Sequence, residues 1–246
     1  MTRVNVDAIG ATIKNIQGEA EVVLLVSMGS YVAFQDVIAD IKARTDAEAV
    51  QVGSVVQRAV HLERQRDITV DPAYGIEQLE TIAWTSISTA KSNPAPGLRT
   101  PHGLRDVLAR WSAQEEETRD EDLFPIVYSD NVFVRLLDAF ESLAVVSSES
   151  MQHQNFAEVA RTFALMFDRL PEDQQRRAED LILRILSALG EHVLTAELNT
   201  ALSALIGTLT ASARFETAAV VRAAQEALEL SVGKLNSRST RVPNKG

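Results

Sequence analysis

Two arginines and an aspartate crowd the stretch Arg64-Gln-Arg-Asp-Ile-Thr-Val-Asp71, and a guanidinium near a carboxylate can serve one of two ends. It can present its parallel N–H donors to an anion or to a partner's carboxylate, or it can close on its own carboxylate and lock a turn. Arg64, Arg66, Asp71, Tyr74, Gln78, Ser88, Asn93 and His102 form the set that could converge where one helix meets its flanking loops. The favoured reading is the internal one, in which Arg66 and Asp71 pair with each other and with loop carbonyls to fix the two turns. No catalytic, cofactor-binding or metal-ligating residue is assigned.

Other chemistry is thin. His61, His102, His153 and His192 fall in four separate elements without an i, i+4 partner, so a zinc site would have to be assembled across the fold. There is no cysteine, which removes disulfides, thiol nucleophiles and thiolate metal sites. Ser27-Met-Gly-Ser30 is not a Gly-x-Ser-x-Gly elbow, and no phosphate-cradling glycine loop occurs. The acidic run Glu115 to Asp122 reads as a solvated linker, and Trp84 and Trp111 as packing residues. No cofactor is expected.

The element that must position the arginine set is a helix. Asp71 can cap it with its carboxylate, and Pro72 loses nothing at the first helical position. Apolar Ile76, Leu79, Ile82, Ala83 and Ile87 follow at helical spacing. The helix is expected to stop at Ser92-Asn-Pro-Ala-Pro-Gly97, because two prolines and a glycine oppose continuation.

Arg66, Asp71, Pro72, Ala73, Gly75, Gln78, Leu79, Ile82, Ala83, Ser88 and Pro94, with Tyr74 and Ile76 as close replacements, resemble the central segment of a bacterial predicted membrane protein family called domain of unknown function 2254. The register continues through Leu104, Asp106, Leu108 and Arg110. Departures are Ser92-Asn93 for the family's Asn-Asp, Val70 for its Gln and Asp67 for its Thr, so a role that needs the second carboxylate is not carried over. The resemblance covers residues 4 to 190. It implies a cytosolic region that in the family follows several transmembrane helices, here either a free-standing relative or an excised portion with an added Met1.

The N-terminal part reads as α/β. Val6 to Ile16 is a short helix capped by Asp7 and ending at Gly18, and Glu21 to Ser27 is β-branched and short enough for a buried strand. Met28 to Ile41 adds a glycine turn and a second strand with Val37, Ala39 and Ile41 on one side. This segment is also similar to half of a biotinyl or lipoyl carrier domain. Gln35 stands where that family has a glycine and Lys42 lies three residues before its modified lysine, so a carrier role fails. A half sandwich leaves open edges that another element should cover.

The remainder reads as helices. Asp46 caps one running to about Gln65, with Val52, Val55, Val56, Ala59, Val60 and Leu62 as its stripe. Another runs from Leu104 to Glu116, and Asp130 caps a third carrying Leu136, Phe140 and Leu143. Residues 151–170, a helix opened by Pro171, and two more at 195–212 and 215–235 complete the set. The last carries Ala219, Val220, Ala223, Ala227, Leu228 and Leu230 as its apolar face.

Composition sets the bounds. Over 246 residues, a hydrophobic share of 46% is ample for a core. A net charge of −10 disfavours nucleic acid or anionic lipid as a general partner. The longest apolar run, Val22 to Val26, is far short of the ~20 residues that span a bilayer, so no direct membrane span is expected. The fold class is mainly α: a multi-helix bundle with a small N-terminal β module, strand-turn-strand and half-sandwich-like. The expected divisions are 1–45, a small α/β module; 46–116, the central helical segment; 117–236, a C-terminal helical bundle; and 237–246, a disordered tail. The expected role is non-enzymatic, in oligomerisation or partner docking, with a homo-oligomer and a membrane-associated protein as partners. The expected location is cytoplasmic, at the cytoplasmic face of the inner membrane if the chain belongs to a longer one. Two alternatives stand beside it: a small-anion sensor or enzyme using Arg64, Arg66, Asp71 and Asn93, and a plain helical adaptor.

Overall fold

The computed structural model describes residues 1, 3–16, 20–63, 65–88, 95–117, 126–128, 131–190 and 192–231. The chain forms two compact units, one of residues 1–77 with 115–135 and the other of residues 78–114 with 136–246. The fold is mainly α with a small N-terminal β module, as the sequence predicts.

The first unit begins with β1 (Arg3–Val4), α1 (Val6–Asn15), β2 (Glu21–Leu24), β3 (Ala39–Lys42), α2 (Asp46–Ala59) and β4 (Val60–His61). In β2 burial alternates, with Val22 and Leu24 inward, as a half-covered strand requires. Those two side chains share a core with Ile9 and Ile13 of α1 and Val52 and Val56 of α2. β2 and β3 pair antiparallel with Val22 opposite Ile41, which gives the expected strand-turn-strand. Residues 28–38 between them are irregular, however, and Val37 is 65% exposed instead of lying on the strand.

An unforeseen element is β5 (Ile126–Tyr128), which lies parallel to β2 and makes the sheet order β3-β2-β5. It covers the β2 edge that the sequence reading left open. A strand of three residues beside an acidic run carries too little periodicity to announce itself.

Two caps fall earlier than expected, by two residues in α1 and by one in α2. Asn5, not Asp7, accepts from the Ala8 amide and caps α1. Thr45, not Asp46, caps α2 in a reciprocal capping box with Glu48. In each case the residue before the first helical turn has the side-chain oxygen in reach of the orphan amides. Nor does α2 reach Gln65: it ends at Ala59, and Val60–His61 pairs with β1 instead. Leu62 is consequently 57% exposed.

Helix α3 (Pro72–Ser88) gives its first residues, to Glu77, to the first unit and the rest to the second. Ile76, Ala83 and Ile87 are buried, whereas Ile82 is 53% exposed and leaves the predicted stripe. The second unit continues with α4 (Ala95–Glu117), α5 (Val132–Glu149, from Leu136 onward), α6 (His153–Met166) with a 3-10 turn (Phe167–Arg169), α7 (Glu172–Leu189), α8 (Ala196–Ala211) and α9 (Phe215–Ser231). α4 starts at Ala95, well before the predicted Leu104, with Pro96 and Gly97 in its first turn. First-turn amides have no helical acceptor, so a proline there sacrifices no bond. A Cβ on Gly97 would lie 2.9 Å from Ile87 Cγ1, so this glycine allows α4 to approach α3 closely.

Phenylalanines dominate this core. Phe140 of α5 meets Phe163 of α6 edge-on with ring centroids 5.4 Å apart, and Phe156 and Phe167 are equally buried. Each such side chain contributes roughly 1.5–3 kcal/mol by leaving water. α6 packs on α8, α8 on α9, and α7 on α9. The face of α9 differs from the predicted one: Leu228 points inward as expected, but it is joined there by Thr217, Ala218 and Val221, while Val220 and Leu230 are 48% and 75% exposed. Apolar residues surround that helix, so periodicity alone could not fix its phase. Asp130, the 118–122 part of the acidic run and the 237–246 tail lie outside the described residues. Among the described residues no helix is long and apolar enough to cross a membrane.

Candidate functional site

The arginine set is built on a tight turn. Asp67 carries it: its carboxylate accepts from the Thr69 amide at 2.9 Å and the Thr69 hydroxyl at 2.7 Å, and its carbonyl accepts from the Asp71 amide at 3.0 Å. The Thr69 amide, followed by the Thr69 hydroxyl, holds the Asp67 carboxyl below its ordinary pKa. An aspartate in place of the family's threonine is therefore an Asx-turn former.

The turn delivers Asp71 to the start of α3, where its Oδ1 accepts from the Tyr74 amide at 3.0 Å. This is the cap that Asp71-Pro72 predicts. The Asp71 side chain is 1% exposed. Arg66 meets it in a fork, Nε donating to Oδ2 at 2.7 Å and Nη2 to Oδ1 at 3.1 Å. Its remaining arm, Nη1, donates to Glu77 Oε2 at 2.5 Å. The guanidinium also lies 4.9 Å from the centre of the Tyr74 ring, a cation–π distance. The hydrogen bonds it donates to Asp71, above all, raise the Arg66 pKa further above its ordinary value; burial opposes this, and Glu77 adds to the rise. Arg135 stands 3.9 Å from Glu77 on its other oxygen.

Two arginines face two carboxylates here, so the cluster of Arg66, Asp71, Glu77 and Arg135 is formally neutral. A group that binds an anion needs surplus positive charge, and Arg66 has spent its fork on its own chain. Beside it lies a cavity of about 440 Å³, lined by Gly29, Tyr31, Val32, Leu62, Glu63 and Arg66 among others. The one acidic side chain on that wall, Glu63, adds to the negative side.

The remaining predicted members fall elsewhere. Gln78 is exposed on α3, and Ser88 is exposed with its hydroxyl donating to the Thr85 carbonyl at 3.2 Å. Arg64 and Asn93 lie outside the described residues. His102 contacts Glu158 at 3.1 Å, and Glu158 also meets Arg161 and, at 3.9 Å, Arg105. Lys42 pairs with Glu21 across the sheet at 3.4 Å. Trp84 is 41% exposed and Trp111 is half-buried.

Sequence reasoning missed three members. Glu77 lies one helical turn beyond Tyr74, a spacing that could have flagged it. Gly29 has no local signal: it adopts φ 81 and a Cβ there would meet the Arg66 guanidinium. Arg135 is reached only through the fold. Of the four histidines, two come together, His153 and His192, with Nδ1 atoms 3.0 Å apart. Among the described residues no group of three potential metal ligands occurs.

Comparison with curated proteins and with solved structures gives no match. The capped turn, its arginine fork and α3 lie inside the residue range 2–154 matched by the family described as "Predicted membrane protein (DUF2254)", and the chain belongs to that family.

Proposed function

We propose that this chain is a non-enzymatic domain that joins copies of itself, or docks a membrane-associated protein partner, through the loop of residues 28–38, and that it works at the cytoplasmic face of a membrane. The observation that carries this reading is the neutralised Arg66. Its fork is filled by Asp71 and Glu77, and its back rests against Gly29, at the base of that loop. A charge used in this way props a backbone. The propped loop presents Tyr31 and Phe34, 91% and 92% exposed, and large exposed aromatics are the residues that interfaces favour.

Light scattering on the chain, alone and with Tyr31→Ser and Phe34→Ser combined, tests it. A mass above the monomer that falls in the double variant supports self-association through the loop. A monomer at high concentration, together with no capture of any membrane-protein partner through these two residues, would overturn the reading.

The cavity beside Arg66 favours a second reading, a small-anion sensor. Calorimetric titration with inorganic phosphate decides it: binding that Arg66→Ala abolishes and Tyr31→Ser spares would replace docking by anion recognition.

A further inference from the structure

The second unit contains a polar contact that neither the fold nor the loop reading uses. The loop between α7 and α8 carries His192, which is fully buried. Its Nδ1 lies 3.0 Å from Nδ1 of His153 at the first position of α6, and the backbone amide of Val193 points to the same His153 atom at 3.3 Å. An amide can only donate, so His153 Nδ1 is a bare acceptor and its proton sits on Nε2. The proton between the rings then belongs to His192 Nδ1. That leaves His192 Nε2 bare, and it is buried without a partner among the described residues, against the ring of Phe156, whose centroid is 4.8 Å away.

This arrangement admits one protonation state only. A proton added to His153 must go on Nδ1, where two donors already point, and both bonds to the loop are then lost. A proton added to His192 must go on Nε2, which is buried with no acceptor among the described residues. Two converging imidazole nitrogens could also suggest a metal, but the Val193 amide occupies the lone pair that a metal would need. Among the described residues, Gln152 and Gln154 beside His153 are neutral, residues 185–190 of α7 are uncharged, and Glu149 at the end of α5 and Glu197 in α8 are exposed, whereas Glu191 lies outside them. Burial pushes both imidazoles below their ordinary pKa, His192 with a further contribution from His153.

We propose that the His153–His192 pair is an acid-released clasp, which at neutral pH ties the α7–α8 loop to the first turn of α6 and in acid frees the wall of the adjoining cavity. That cavity, about 430 Å³, is lined by Met151, Gln152, His153, Gln154, Thr195 and Glu197 among others. Thr195 caps α8 through its hydroxyl, so the clasp and the helix start share one short segment.

Amide exchange of the whole chain between pH 7.5 and 4.5, corrected for intrinsic rates, reads the clasp directly. Protection of residues 192–195 is expected to fall by about tenfold or more below about pH 6 while the centres of α7 and α8 remain protected. In His153→Gln, an amide oxygen can still accept from Val193 but does not titrate, and the pH dependence should weaken to what His192 alone leaves. His192→Phe, packed beside Phe156, should also weaken it; if that variant fails to fold, His153→Gln stands alone as the test. Protection that is flat with pH, that is lost only together with the whole unit, or whose pH dependence is undiminished in His153→Gln would overturn the clasp. So would a gain of protection on adding zinc at pH 7.5, which would make the pair a metal site.

Discussion

The guanidinium of Arg66 occupies the space that a side chain at Gly29 would need: a Cβ at that position would lie 2.2 Å from Nη2. Gly29 also has φ 81, so Gly29→Ala meets both a steric and a backbone penalty, together on the order of 2–3 kcal/mol. The steric part belongs to Arg66. Combining Gly29→Ala with Arg66→Ala should therefore cost less than the sum of the two, and a chemical-denaturation double-mutant cycle measures the difference. Strict additivity would separate the two residues.

Arg66→Ala alone strips the fork from a carboxylate that is 1% exposed. Breaking a buried pair on one side leaves an uncompensated charge, and a loss of about 3 kcal/mol is expected. Arg66→Lys should recover only part of it, since an ammonium cannot make the two parallel bonds to Asp71. Thermal unfolding checks both; an unchanged melting temperature in Arg66→Ala would show that the cluster carries no structural load.

Gln35 holds φ 70 in the exposed loop of residues 28–38, at a position where a carrier-like sequence would have glycine. A non-glycine residue in the left-handed region costs roughly 1–2 kcal/mol, and glycine's extra chain entropy returns part of that. Gln35→Gly is expected to raise stability by about 0.5–1 kcal/mol, with no effect on α1 or α2. Denaturant midpoints read the sign, and a destabilised variant would mean that the Gln35 side chain has a partner of its own.

How far the sequence was legible follows from where its signals reside. Asp71-Pro72 announces the start of α3 because cap and proline act within one turn, and the phenylalanines of α6 declare a core because their spacing is local. Arg66 and Asp71 were readable as a pair for the same reason, being close in the chain. Gly29 and Arg135 were not, because they reach the cluster through the fold. Pro96 was misread because proline opposes the interior of a helix and not its first turn, and α9 because alanine and valine on every side leave its phase free.

Phe140→Ala tests the second core. The ring is fully buried and meets Phe163 edge-on, so truncation removes both the transfer free energy and the aromatic contact. A loss of about 3–5 kcal/mol is expected, against less than about 1.5 kcal/mol for Phe140→Leu. Equal losses for the two would mean that the site collapses around whatever is left.

The stability of the whole chain should also depend on pH through His192, with the sign opposite to that of a histidine that gains a carboxylate partner. Burial first, and then the charge of His153, lowers its folded pKa from 6.5 to about 4. Between those values the unfolded chain binds the proton and the folded chain does not, so acid favours unfolding. The contribution is fully present above about pH 6.5 and is lost progressively as pH falls towards 4, with a limit on the order of 3 kcal/mol. His153, also lowered by burial, acts in the same direction. Unfolding free energies measured at pH 7.5 and 5 in the unaltered chain and in His192→Phe give the test: the slope should flatten in the variant, because a phenyl ring keeps the contact with Phe156 and has no proton to take. Parallel slopes would place the acid sensitivity elsewhere in the chain.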